Sequence, residues 1–562
     1  MSTISTLCVF MLLSLTCTQA AQTPDWSRDA KIPVGQDRAN IFKLNLNEQI
    51  LQTQRGKSHA LIYPVSTTKL LLPYGPMKDF LNADQNNPLK KFVTLLTKKR
   101  IDVNSEEGFF AWLGLPQYPQ TQELNVFSPF YIPRPQENTL AMGAALIQGE
   151  AGKGMTFSCA ACHSHNLFGR PVLGLPNKRP RSNELFLLGE KYTPHIPTKL
   201  FALSTGASAE EVEIFKNLKQ FVPATGGKSP QSLGLDTSLA QVGISLAHRS
   251  PDAWATYSSK FQKKPRPNML DQHVADSRPL PWWNVKYKTR WLSDGSVISG
   301  NPILTNILWN EIGRGADLKE LSQWMINNKQ KIDELTAAVF ASRAPLWTDY
   351  FDENTIDERL ARQGETIFNN TCQKCHGGYE KTWSLPLSHL LPKKQRLQTI
   401  RVHYFEQTPV KNVGTDPGRF QGIVGIATAL NQLAISKEMQ TDIVPQDGYA
   451  PPPLVGIWSR YPYFHNNSIP NLCALLTVAK DRPVRFYQGP SDNIDTDFDK
   501  NCIGYPLGQE TPASWVQTEA LVDTKRPGLS NIGHEKMLLK EDGTERFGPE
   551  DKKALMEFLK TL

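Results

Sequence analysis

A chain of 562 residues exceeds one ordinary domain, and its 40% hydrophobic and 21% charged content is that of a globular protein, not a disordered or membrane-embedded one. The formal charge of +8 is scattered in short groups such as Lys98-Lys99-Arg100, Lys178-Arg179 and Lys393-Lys394. Such groups read as solvated faces, so the charge indicates neither a nucleic-acid partner nor a membrane-surface one. The 41 prolines and 37 glycines predict many long, irregular connections between elements.

Residues Leu7 to Leu15 form an apolar core followed by Thr18-Gln19-Ala20, the pattern of a cleaved signal peptide spanning 1–20. That core is too short to span a bilayer, and no later stretch is apolar enough, so the expectation is a periplasmic or secreted protein that does not span a membrane. Residues 21–138 carry no recognisable cofactor chemistry. They read as an extension wrapping the next domain, with one helix over Met77 to Leu96.

The chemistry begins at Cys159-Ala160-Ala161-Cys162-His163 and recurs at Cys372-Gln373-Lys374-Cys375-His376. Cys-x-x-Cys-His is the attachment signature of c-type haem: each sulfur joins one vinyl group of the porphyrin and the histidine ligates the iron. A zinc site uses similar Cys/His spacing, but two full copies among eight cysteines point to two covalently attached haem c groups. Their four propionates offset part of the positive charge. After the signal peptide and the haem cysteines, Cys473 and Cys502 remain as an even pair in an oxidising compartment, which suits a disulfide.

A first cytochrome c-like domain is expected over 139–348. Leu140 to Ile147 reads as a short apolar leading helix, and a Gly-rich loop from Gly149 to Gly154 delivers Cys159. A second is expected over 349–562. Ile356 to Phe368 spaces its apolar residues at helical intervals just before Cys372. The run from Gly548-Pro549-Glu550 to Leu562 opens with proline and acids and presents Ala554, Leu555, Phe558 and Leu559 on one face, as a closing helix would. The fold class is mainly α: two cytochrome c-like haem domains with long irregular loops and an N-terminal extension.

Function turns on the sixth iron ligands. For His376 the spacing leaves His534, His465 and Met439 open. For His163, His165 lies too close to the attachment loop, and Met269 is the one methionine within reach in that domain, so an open iron where dioxygen or peroxide binds is an alternative. His59, His195, His248, His273, His389 and His403 read as ordinary solvated or hydrogen-bonded histidines. Between the haem motifs, Trp282-Trp283-Asn284 through Trp291-Leu292-Ser293-Asp294-Gly295-Ser296 concentrates large rings. Core packing accounts for them on residues alone, and an electron relay is the alternative.

The two haem motifs, Trp282-Trp283-Asn284, Trp291 to Ser296, Gly313-Arg314-Gly315-Ala316-Asp317, Pro453 to Trp458, Pro462 to Pro470 and Asn531-Ile532-Gly533-His534-Glu535 together resemble the rubber-oxygenase-like branch of the bacterial di-haem cytochrome c peroxidase superfamily. The resemblance covers most of the chain from about residue 140 onward. It implies a reactive haem on His163 and a six-coordinate electron-transfer haem on His376, with His534 as the distal ligand. It also implies an inter-haem tryptophan, best matched by Trp283 with Trp282 close behind, and a structural role for His465-Asn466-Asn467. The chain departs from the ordinary peroxidases, which have histidine before Asp-Gly where Ser293 stands and use a distal acid not placed here. Related peroxidases hold calcium between domains, but no acidic loop here has calcium spacing. The expected activity is activation of peroxide or dioxygen, with a small electron donor or a donor protein and an apolar organic substrate as candidate partners. A non-catalytic di-haem electron-transfer cytochrome c is the alternative.

Overall fold

The computed structural model describes residues 30–82, 105–135, 140–266, 273–518 and 520–562, together with 25, 26 and 28. The signal segment, residue Thr139 and Met269 lie outside the described residues. The described chain is mainly helical, with four two-stranded antiparallel ladders. No helix is long and apolar enough to cross a membrane.

Two cores organise the chain. One gathers residues of the 239–340 helices with Ala60, Leu61, Tyr63 and Val65 from the N-terminal extension and Ile423, Ile426, Leu430 and Ile435 from far downstream. The other gathers residues 347–562 around Trp347, Trp458 and Phe558, and includes Trp283 and Tyr287. The chain therefore crosses between cores more than once, and the first Cys-x-x-Cys-His motif lies at one such crossing, between Ala160 and Leu167.

Each core is braced by a helix pair meeting at a glycine. Helix Glu358–Thr371, capped by Asp357, crosses the closing helix Pro549–Lys560, with Phe368 against Phe558 at 5.2 Å. A Cβ at Gly364 would stand 2.0 Å from the Ala554 carbonyl oxygen, so only glycine permits this approach. In the other core, helix Leu46–Ile62 lies on helix Lys329–Ala341, and a Cβ at Gly56 would stand 1.9 Å from the Glu334 carbonyl oxygen. Gly364→Ala is expected to lower the midpoint of guanidinium unfolding, with a loss of about 1–3 kcal/mol from forced separation of the helices. An unchanged midpoint would show that the crossing is loose.

The helix Leu46–Ile62 was not legible in the extension, because its few apolar residues are diluted by polar ones. An Asn45/Glu48 capping box starts it. Burial pushes the Lys57 amine down to about 7, and that amine donates to the Ser128 and Tyr131 carbonyls, joining this helix to the far end of the extension. The helix expected over Met77 to Leu96 is observed as Tyr74–Asn82, and residues 83–104 lie outside the described residues.

The leading helix expected over Leu140 to Ile147 is not formed. Strand Ala144–Gly149 stands there instead, pairing antiparallel with Gly152–Phe157. The expected loop Gly149 to Gly154 is the tip and return of this hairpin. Gly143, at φ +100°, breaks any helix, and both strand faces are buried. Ala144 and Leu146 face Met155 and Phe157, whereas Ala145 and Ile147 face Leu71 and Ile214. A short strand buried on both faces gives an unbroken apolar run that periodicity cannot separate from a helix.

Candidate functional site

Both Cys-x-x-Cys-His motifs fold as one helical turn, with the histidine N–H bonded to the first cysteine carbonyl at 3.0 Å in each case. Spacing of three and four residues places both sulfurs and the imidazole on one side of that turn. After each motif the chain runs directly into a short β-ladder, Ser164–Leu167 with Arg170–Leu173 and Gly378–Lys381 with Thr399–His403. Asn177 steadies the first turn by donating to the Ala161 and Gly114 carbonyls, each at 2.8 Å. The four motif cysteines take part in no disulfide, whereas Cys473 and Cys502 are joined by one.

Each motif opens into its own cavity, about 240 Å³ around Cys159, Cys162 and His163 and about 250 Å³ around Cys372, Cys375 and His376. Arg278, Leu280 and Ser293 line both, so one short wall separates them.

In the second cavity His376 and His534 face each other with ring centroids 6.4 Å apart and planes 8° from parallel. Two metal–imidazole bonds of about 2 Å, with the ring radius added at both ends, span about this distance. The pair therefore fits an iron held between them. The His376 Nδ1 is engaged by the Pro452 carbonyl at 2.8 Å, which leaves Nε2 for a metal. Burial, with the mutual repulsion of the two rings and Arg482, pushes His534 down to about 3, and burial lowers His376 as well. Both imidazoles are therefore neutral at physiological pH, the form that can bind a metal.

His534 is held in place by its surroundings. It adopts a left-handed backbone, φ 62°, as does Phe464, whose ring stacks on it at 5.2 Å. A non-glycine residue in that region costs about 1 kcal/mol or more, so surrounding contacts must over-determine it. Asn466 donates to the Gly528 and Ser530 carbonyls, Ser468 to the Ser530 carbonyl and Arg482 to the Gly533 carbonyl. These bonds strap the loop that carries His534.

The other two candidates lie elsewhere. His465 lines the same cavity, but its ring stacks on Tyr449 at 4.0 Å and its Nε2 shares a hydrogen bond with the Tyr449 hydroxyl. Met439 ends a helix in the other core and does not line the cavity.

The first cavity is different. His163 is its lone histidine, and no methionine lines it among the described residues. Burial pushes the His163 imidazole down to about 4, opposed by the Leu280 carbonyl. His165 is buried in the adjoining strand outside the cavity lining. Asp236 is the single carboxylate on its wall among the described residues, and it accepts from the Ser238 backbone N–H and hydroxyl. Tyr63 and Arg314 also line the cavity. Tyr63 belongs to the extension, which sequence reasoning left without a chemical role, and its hydroxyl donates to buried Glu311.

The adjacent tryptophans diverge. Trp282 lines the first cavity, its ring 5.9 Å from that of His163. Trp283 is fully buried in the other core, its indole N–H donating to the Val455 carbonyl at 2.9 Å, and it lines neither cavity. Three residues before Val455 is Pro452, the acceptor for His376. Among the described residues no group of three or more His, Cys, Asp or Glu is placed to hold a separate metal ion.

Residues 448–487 match a family model described as RoxA-like, cytochrome c-like. That stretch holds the Pro452 carbonyl that engages His376 and the Asn466 strap, and it marks a cytochrome c-like domain of the kind that holds haem c in oxidoreductases. The chain is 30% identical over 488 residues to the uncharacterized protein y4iJ of Sinorhizobium fredii (strain NBRC 101917 / NGR234), covering 73% of this chain and 78% of that protein. It is 25% identical over 294 residues to the uncharacterized protein y4iM of the same strain, covering 50% of this chain and 63% of that one. The chain belongs to the family of y4iJ.

Proposed function

We propose that the chain is an exported oxidoreductase with two haem c groups that activates dioxygen or peroxide at the haem on His163 and exchanges electrons through the haem on His376. The observation that supports this reading is the difference between the cavities. His376 has His534 opposite it at iron-spanning distance, whereas His163 has no second histidine and no methionine on its cavity wall among the described residues. Bound haem supplies the redox and oxygen chemistry, and axial-ligand number decides which haem exchanges ligands.

The protein's own part is to hold one side of each haem, close the second site with His534 and shape the first. Phe157, Phe186, Ile303, Ile307 and Val339 give that first site apolar walls, and its carboxylate, Asp236, is turned to Ser238, whose N–H and hydroxyl it accepts. These two features favour oxidation of an apolar organic substrate over simple peroxide reduction. Trp282 beside His163 and the Trp283-to-Val455 bond on the Pro452 side supply a packed connection between the haems. The donor is proposed to be a small molecule or a donor protein, and export rests on the Leu7-to-Ala20 pattern.

Anaerobic reductive titration of the purified holoprotein, followed by absorption and electron paramagnetic resonance, tests the proposal. One haem is expected to bind added carbon monoxide or cyanide while the other stays low-spin. Two haems that stay low-spin and refuse both ligands in every redox state would replace it with the electron-carrier reading. Turnover of polyisoprene under oxygen, set against turnover of peroxide, then separates the two chemistries.

A further inference from the structure

The wall between the cavities carries an excess of buried positive charge. Arg278 lines both cavities, Arg419 and Lys288 the first, and Arg460 the second. Arg419, Lys288 and Arg460 are 4%, 1% and 5% exposed. The carboxylates beside this group are Asp294, 3.9 Å from Arg419, and Asp276. Neither lines a cavity, Asp276 already accepts from the Gln231 backbone N–H, and Asp236 on the first cavity's wall is bonded to Ser238. Among the described residues no aspartate or glutamate lines the second cavity.

Among the described residues Arg278 makes no ion pair. It donates to the carbonyls of Arg460 and Pro462, and its charge repels that of Arg460. The Nε atoms of Arg278, Arg419 and Arg460 are buried without a hydrogen-bond partner. Burying a guanidinium without an anion costs several kcal/mol, by order of magnitude, and an unpaired buried N–H adds to that. Asp294 beside Arg419 and Lys288 is one carboxylate for four cations, so the cluster is suited to further carboxylates from a bound group. Haem c brings two propionates per ring, and planar guanidinium groups bind carboxylates through two parallel hydrogen bonds.

We infer that Arg278 is a shared binding site for propionate carboxylates of both haems, completed by Arg419 and Lys288 on the His163 side and by Arg460 on the His376 side. This rests on the two-haem reading above. It follows that one positive charge acts on both irons, and the wall between the cavities is an electrostatic coupler as well as a spacer. A cation beside a haem stabilises the electron added on reduction, so its removal lowers the reduction potential.

Spectroelectrochemical titration of purified holoprotein gives the test, after haem content is measured by pyridine haemochrome. In Arg278→Gln both reduction potentials are expected to fall, whereas Arg419→Gln lowers the potential of the ligand-binding haem alone and Arg460→Gln that of the low-spin haem alone. Arg278→Lys keeps both close to the wild-type values. A structural role for Arg278 would not produce this pairing of effects. If Arg278→Gln retains two haems and shifts one potential or neither, the inference is overturned while the two-haem reading stands. A wild-type chain holding fewer than two haems overturns both. Should Arg278→Gln fail to fold, Arg278→Lys with carbon-13-labelled propionates is decisive: the carboxylate infrared bands of both haems shift relative to wild type, and unshifted bands refute the shared site.

Discussion

His534→Ala is expected to convert the haem on His376 from low-spin to high-spin, so that the low-spin half of the absorption and paramagnetic-resonance signal disappears. The expectation rests on the parallel imidazoles 6.4 Å apart and on the strapping of the loop by Asn466, Ser468 and Arg482. Loss of the imidazole leaves that backbone in place and opens one axial position, which added imidazole should refill. His465 cannot take over without giving up both its stack on Tyr449 and its hydrogen bond to the Tyr449 hydroxyl. Met537 lines the same cavity and is the residue to remove alongside, as His534→Ala with Met537→Leu. A low-spin spectrum that survives in both variants would take His534 out of the coordination sphere.

The second large effect concerns the first motif. Replacing both Cys159 and Cys162 by serine should reduce covalent haem from two per chain to one. The remaining haem should be the low-spin one, and cyanide or carbon monoxide binding should vanish with the lost haem. The mirror variant, Cys372→Ser with Cys375→Ser, should keep the ligand-binding haem and lose the low-spin signal. The assignment is specific because each cavity holds one motif and one wall separates them. Two haems persisting on acid extraction of the first variant would mean that attachment does not depend on Cys159 and Cys162.

Some of this was legible in the linear chain, and the reason differs between elements. The helix preceding Cys372 and the closing helix were readable because each has one buried face, which imposes a helical spacing of apolar residues on the sequence. The strand Ala144–Gly149 was misread as a helix because burial on both faces erases that spacing. The helix Leu46–Ile62 escaped notice because its contact with the core depends on Gly56 and on partly polar side chains rather than on an apolar stripe.

The candidate site divides in the same way. Cys-x-x-Cys-His is a local motif, since one helical turn brings its three chemical groups together, and the sequence by itself determined where both copies of the motif lie. It also left Cys473 and Cys502 as the remaining pair, which the fold joins. A distal ligand is a long-range property. His376 and His534 are 158 positions apart, and spacing could not choose among His534, His465 and Met439. The resemblance put His534 first, and tertiary structure brings its ring to face His376. The same holds for Arg278, Arg419 and Arg460, which are unremarkable in sequence and become a charged wall when the chain returns between its two cores. Local geometry writes attachment into the sequence, whereas ligand choice, burial and charge balance depend on which distant segments share a cavity, and packing alone decides that.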